Sequence, residues 1–305
     1  MGKDLKPFEF TPRLGWSATR YDTFSVCRRR YYYQYYAKHD HEFTPRDVDE
    51  KKALVSVPLQ IGAVVHEVIG TLLGRLRLSG AEIDQVKFFD YAERAALHSL
   101  KAKTFEEVYY GNRPEISRGD LFPKVEQSLQ NLLTSERLQW LSQTAIQASA
   151  DWIIEPPGYG ETRVGDWKAY CKVDFLFPVE GTYHIIDWKT GKREAEKHRR
   201  QLIGYAAWAT YHFEIEPERV SPSIVHLHPD YHEVQETFNG FDMDSFGIQV
   251  AADTEEMYAY CSSVEENLPL DKGKFPLIDD ERICSFCNFR GLCFPDRYPP
   301  VSQEP

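Results

Sequence analysis

Between residues 61 and 76 the apolar side chains Ile61, Val64, Val65, Val68, Ile69, Leu72, Leu73 and Leu76 return every three or four positions. That is the period of one face of a helix, and His66 falls inside it. Leu121, Val125, Leu129, Leu132 and Leu133 repeat the pattern and predict a second long helix over residues 120–148. Ser17 is placed to cap a helical segment that runs through Cys27 to Tyr36. The run Tyr31-Tyr32-Tyr33-Gln34-Tyr35-Tyr36 within it has two readings, aromatic platforms for stacked bases or a helix packed on a core. Residues 40–58 are polar and read as a loop ending at Pro58, followed past the helix by a mixed segment. At residue 151 the texture changes to short apolar runs. Residues 152–154 predict a strand ending at Glu155, with a turn at Pro156-Pro157-Gly158. Residues 170–177 and 183–188 predict two more, joined by a turn at Glu180-Gly181. A helix over 194–212, strands over 223–227 and 233–238, a helix over 244–267 and a loop-like tail from Asp271 complete the chain.

This order predicts an α/β fold. Residues 1–150 form an N-terminal helical region carrying Cys27 and His66, residues 151–240 the α/β core, and residues 241–305 a last helix and a cysteine-bearing tail, all within one integrated domain. The 305 residues suffice for one large domain or two small ones. No unbroken apolar run reaches the ~18 residues of a membrane span, and residues 1–11 have no apolar core of a signal peptide. The cytoplasm is therefore the expected location. Six cysteines are too few for a disulfide scaffold, so clustered ones point to metal or cluster binding. The net charge of −11 argues against a uniformly basic surface, but it is unevenly placed. Residues 229–305 hold 5 basic and 16 acidic side chains, so the other 228 residues balance. Local basic stretches at Arg28-Arg29-Arg30 and over residues 189–200 leave room for a cationic groove that contacts phosphates.

Two sets of residues carry chemistry. Asp187-Trp188-Lys189 closes an apolar strand, where alternation puts Asp187 and Lys189 on one face and Trp188 on the other. A hairpin with the preceding strand would bring Asp174 beside Asp187. Converging carboxylates are a hard-oxygen site suited to Mg²⁺ or Mn²⁺, and a neighbouring lysine can orient water and stabilise developing negative charge. The second set is Cys284-x2-Cys287-x5-Cys293 with the distant Cys27. Four thiolates suit Zn²⁺ or a [4Fe–4S] cluster, and spacing alone does not separate them. Cys261 is expected to pack within a helix, and Cys171 to face away from Asp174 into the core. His226 and His228 show no metal-ligand spacing.

Asp174 at a strand end, followed by Ile185-Ile186-Asp187-Trp188-Lys189-Thr190-Gly191, resembles the PD-(D/E)XK nucleases of the RecB type. Gly62-Ala63-Val64-Val65-His66 is similar to the G-x-x-x-H helix of that family, and Gln201-Leu202-Ile203-Gly204-Tyr205 to its Gln-x-x-x-Tyr helix. The cysteine arrangement resembles AddB-type recombination nucleases and CRISPR-associated four-cysteine exonucleases. Val173 stands where the nominal motif has proline, and Cys171 where relatives often have glycine. The resemblance implies a restriction-endonuclease-like core with a C-terminal iron–sulfur tail. Asp174, Asp187 and the Trp188 carbonyl would ligate the ion, His66 would complete its site, and Lys189 would hold the attacking water. Gln201 and Tyr205 would contact DNA or support the lysine, and Glu155 would touch the site through water. Cys27, Cys284, Cys287 and Cys293 would hold a structural [4Fe–4S] cluster, with zinc as the alternative. The implied activity is hydrolysis of DNA, single strands from an end, in repair, recombination or defence. With no P-loop in the chain, any helicase would be a separate partner. The competing expectation is a non-catalytic, nucleic-acid-binding subunit that keeps the nuclease fold.

Overall fold

The computed structural model describes residue 5 and residues 8–79, 82–156 and 160–301. Among the described residues, eight helices come first: α1 (Ala18–Val26), α2 (Arg28–Tyr36), α3 (Pro45–Lys52), α4 (Val57–Leu78), α5 (Gln85–Ala102), α6 (Glu106–Tyr109), α7 (Arg118–Leu133) and α8 (Glu136–Gln143). Then follow β1 (Ile153–Ile154), β2 (Gly160–Val164), β3 (Trp167–Cys171), β4 (Phe175–Val179), β5 (Thr182–Lys189), α9 (Ala195–Phe213), β6 (Val220–His226) and β7 (His232–Gln235). The chain closes with α10 (Gly240–Tyr258), β8 (Cys261–Ser263), β9 (Leu268–Pro269), α11 (Glu281–Cys284) and α12 (Arg290–Cys293).

The central sheet has the order β1-β4-β5-β6-β7. β4 and β5 form a hairpin whose two turn residues, Glu180 and Gly181, both have positive φ. Such turns match the twist of the paired strands. β5 and β6 are parallel, so a crossover is required, and α9 supplies it. Alternation along β5 sends Ile185 into one apolar core and Ile186 and Trp188 into the other. The first core gathers α1, α2, α9 and α10 with the β2–β3 ribbon, and the second gathers α4, α5, α7 and α8. The eight apolar residues of the α4 stripe are all buried in the second core. Each such burial is worth about 1.5–3 kcal/mol, and together they fix the helix that carries His66. α4 is also the one helix, among the described residues, long and apolar enough to cross a membrane by composition. Its stripe is spent inside this core instead.

The departures from the sequence expectations have local causes. The helical segment expected over 17–36 breaks at Cys27, which is extended, and whose sulfur caps α2 by accepting from the Arg30 N–H. The expected loop over 40–58 contains α3, started by a reciprocal Thr44–Asp47 cap with Pro45 in the first turn. The long helix expected over 120–148 ends at Leu133, because Ser135 caps a new helix by accepting from Leu138 N–H. The mixed segment holds α5, capped by Asp84. The strand expected over 170–177 is two strands with a break at residues 172–174, and β2 pairs with β3 as a separate ribbon. Cys261 lies in β8, not in a helix, and the tail carries α11 and α12. Tyr31, Tyr32, Tyr33 and Tyr36 are 0–1% exposed, so they are core and not platforms for bases. Of the turn expected at Pro156-Pro157-Gly158, the last two residues lie outside the described ones.

Candidate active site

The β4–β5 register pairs Phe175 with Ile186, so the next rung sets Asp174 beside Asp187. The main-chain N–H of Trp188 donates to Asp174 Oδ2 at 3.1 Å, locking that carboxylate against β5. Asp187 and Lys189 share a face, and Lys189 Nζ lies 2.6 Å from Asp187 Oδ2. The other oxygen of Asp187, Oδ1, accepts from Gln201 Nε2 at 2.8 Å and from the Tyr205 hydroxyl. Gln201 and Tyr205 are one turn apart on α9, which is why both reach the same atom. His66 comes from the opposite side, on α4. Its Nε2 is 2.7 Å from the Trp188 carbonyl oxygen and its Nδ1 is 3.4 Å from Asp174 Oδ2. Glycines stand one turn either side of His66. A methyl at Gly62 would press on Thr190 Oγ1 at 3.3 Å, and one at Gly70 would meet the Glu155 carboxylate at 3.6 Å. The small residues let the loop after β5 and the end of β1 close on the histidine.

The electrostatics are those of crowded acids. Asp187 is 2% exposed. Burial pushes its carboxyl up and Asp174 pushes it further, against the pull of Lys189 and Tyr205. Burial pushes the His66 imidazole down, but Asp174, Asp187 and the Trp188 carbonyl outweigh it, so its pKa is raised. Burial drives the Tyr205 hydroxyl far up, so it stays a donor to Asp187. Glu155, in left-handed backbone at φ 36°, is raised by burial and by Asp174. Its N–H donates to the Asp174 carbonyl oxygen at 2.8 Å.

His66, Glu155, Asp174, Trp188 and Lys189 line a cleft of about 890 Å³ together with Lys172, Lys124 and His228, while Asp187, Gln201 and Tyr205 are not part of its lining. The two lysines carry no motif and were not singled out in the sequence. Lys172 sits in the break between β3 and β4, which no apolar pattern marks. The same break interrupts the alternation on which the expectation for Cys171 rests, while Cys171 does pack against the first core. Strand alternation does not continue to Asp174; Cys171 is half-buried, and burial first, then the charges of Asp187 and Asp174, raise its thiol.

The donor set fits a hard divalent ion. Two carboxylates, a carbonyl oxygen and an imidazole converge, and the buried Asp187 Oδ2 faces only the Lys189 ammonium and no hydrogen-bond donor of good geometry. Among the described residues, no group of three or more His, Cys, Asp or Glu side chains already has the closeness of a metal-holding set. The cysteines form a second convergence. Cys284 and Cys287 are buried, Cys27 and Cys293 half-buried, and all four are free thiols. Cys27, Cys284 and Cys287 each act on Cys293 electrostatically. Burial raises the Cys287 thiol to about 11 and the Cys293 thiol to about 12. These soft donors lie within electrostatic reach of one another without forming a closed metal-holding set, and Cys261 and Cys171 are outside the group.

The family model described as the PD-(D/E)XK nuclease superfamily matches residues 15–294. No curated protein matches the chain. Seven chains of solved structures match. One, described as "Crystal structure of SSO0001", is 14% identical, with 70% of this chain and 98% of that chain covered and a TM-score of 0.31. The mixed sheet with its helical N-terminal region is consistent with the fold of that superfamily.

Proposed function

Since the chain belongs to the PD-(D/E)XK nuclease superfamily, whose members are metal-dependent nucleases, we propose that it hydrolyses single-stranded DNA from an end. The gathering of Asp174, Asp187, Lys189 and His66 from the residue before β4, from β5 and from α4 is the observation that supports this reading. A Mg²⁺ or Mn²⁺ ion held by Asp174, Asp187, His66 and the Trp188 carbonyl would supply Lewis-acid stabilisation of charge on the phosphate. The remaining roles belong to the chain. Lys189 holds water in line with the phosphorus and offsets the charge that develops on the phosphoryl oxygens. Gln201 and Tyr205 fix the Asp187 carboxylate so that it does not rotate toward the lysine alone. Lys172 and Lys124 draw the phosphodiester chain into the cleft.

We assign Cys27, Cys284, Cys287 and Cys293 to a structural [4Fe–4S] cluster of the RecB/AddB-like type, with a helicase or other motor as a separate partner and the cytoplasm as location. Repair, recombination and defence against foreign DNA all call for such an activity. The test is digestion of end-labelled single-stranded DNA with Mg²⁺ or Mn²⁺ by the wild type, Asp187→Ala and Lys189→Ala. Shortening of the strand from one end by the wild type, and at least about 100-fold slower digestion by both variants with unchanged circular dichroism, is expected. Equal digestion by all three would overturn the assignment of the centre. A well-folded wild type that binds but never cuts DNA would establish the non-catalytic subunit instead.

A further inference from the structure

A second chamber adjoins Gln201 and Tyr205, the two residues that hold Asp187. It holds about 250 Å³ and lies between the β2–β3 ribbon, α9 and α10. Trp16, Thr162, Tyr170, Gln201, Gly204 and Phe246 line it. Its walls are firm. Trp16 and Phe246 meet edge to face at 5.6 Å, and the main chain of Trp16 is stitched to β3 through Lys168 and Tyr170. Its lining includes one unmet polar group. Thr162 is 2% exposed and its Oγ1 has no hydrogen-bond partner. A buried hydroxyl without a protein partner is open to a hydrogen bond from whatever enters the chamber.

The chamber shares groups with the proposed catalytic centre. Gln201 and Tyr205, which hold Asp187, form part of its wall, and Lys172 borders both it and the cleft. Arg200 completes its cationic edge. We propose that this chamber receives one nucleobase of the substrate strand while the adjoining phosphate lies at Asp187 and Lys189. The inference rests on the nuclease reading and deepens it. An aromatic, firm-walled space with the unpartnered Thr162 hydroxyl in its wall accepts the π-face of any base. The hydroxyl can donate or accept, so it meets the edge of a purine or a pyrimidine. The space is far smaller than the cleft, which suits one ring system and not a stacked pair. Taking a base out of the stack is cheapest in a single strand, so the chamber favours single-stranded over paired ends.

The experiment is single-turnover digestion of end-labelled single strands in which one abasic residue is stepped along the sequence. It uses wild type, Gly204→Leu and Thr162→Val. Gly204 is on the α9 wall, where an added methyl would stand 3.8 Å from the Phe246 ring, so leucine grows toward Phe246 across the chamber. The wild type should slow roughly tenfold at the bond beside the abasic residue, the loss of about one base–ring stack. Gly204→Leu should slow intact strands by a similar factor and leave the abasic bond unchanged. Thr162→Val is isosteric and serves if leucine unfolds the chain; it should slow intact strands a few-fold and the abasic bond not at all. A wild type that cuts intact and abasic positions at one rate refutes the chamber while leaving the nuclease standing. A wild type that cuts no DNA refutes both.

Discussion

A single carboxylate oxygen concentrates much of the site. Asp187 Oδ1 accepts from Gln201 and Tyr205, while Oδ2 is left to Lys189. Removing the Tyr205 hydroxyl takes away one of the two donors that hold Oδ1, while the ring keeps filling the core. Tyr205→Phe should therefore lower kcat by roughly tenfold or more, the worth of a hydrogen bond to a charged group, with a melting temperature close to that of the wild type. Steady-state digestion paired with calorimetry checks it, and an unchanged kcat would remove Tyr205 from the positioning set. Gly160 is a residue of another kind. A methyl there would come within 2.2 Å of the Cys171 carbonyl oxygen and 2.3 Å of Trp208 Nε1. Neither neighbour can yield cheaply, so Gly160→Ala should destabilise by about 1–3 kcal/mol in denaturant unfolding. The Asp187-Trp188-Lys189 alternation was legible because a strand's two-residue period is rigid. The same rule does not carry from Cys171 to Asp174, because a break at Lys172 that leaves no trace in the apolar pattern interrupts the strand, although Cys171 still packs against the first core.

Elements with a long apolar stripe were readable, since eight spaced side chains on α4 outweigh any local preference. The hairpin of β4 and β5 was readable from its Glu180-Gly181 turn. The ribbon of β2 and β3 was not, because Gly160, Thr162 and Lys168 interrupt its buried face and leave only Val164 and Ala169 as buried apolar residues. The break at Cys27 was hidden for a similar reason, since a cysteine is an uncommon cap. Between α2 and α3 the chain is held by Asp40, whose carboxylate accepts from the N–H groups of Glu42 and Phe43 and pairs with Lys272 Nζ at 2.9 Å. Burial alone would raise this carboxyl, but these donors and the ammonium outweigh it, so its folded pKa lies below the usual value. The contribution to stability is complete above the unfolded-state pKa of about 3.9 and is lost as the pH falls through the lower folded value. Unfolding free energy should therefore decline on acidification below about pH 4 more steeply in the wild type than in Asp40→Asn. Parallel slopes in urea unfolding across that range would show that Asp40 does not hold this junction.

At the scale of the whole molecule, the two ends of the sequence are sewn together. Lys272 returns to Asp40, the buried Arg290 pairs with Glu106, and Asn288 donates to the Lys51 carbonyl oxygen. The aromatic core continues the seam, with Phe289 against Tyr33 and Phe275 against Tyr32. The cysteines lie on this seam, so a group bound by all four would close a loop of more than 250 residues. Closing a loop of that length removes disorder from the unfolded chain worth about 4 kcal/mol or more, as for a long disulfide loop. Because hydrogen bonds and packing already hold the seam, loss of one thiol should weaken the protein without dismantling the nuclease core. Cys287→Ser purified without oxygen should lose the brown colour and the acid-labile sulfide expected of the wild type and melt at a lower temperature. It should still digest DNA at temperatures where it remains folded. Stoichiometric zinc in a colourless wild type would replace the cluster with the other tetrathiolate group. Loss of digestion in a folded Cys287→Ser protein would mean that the clasp shapes the active site as well as the seam.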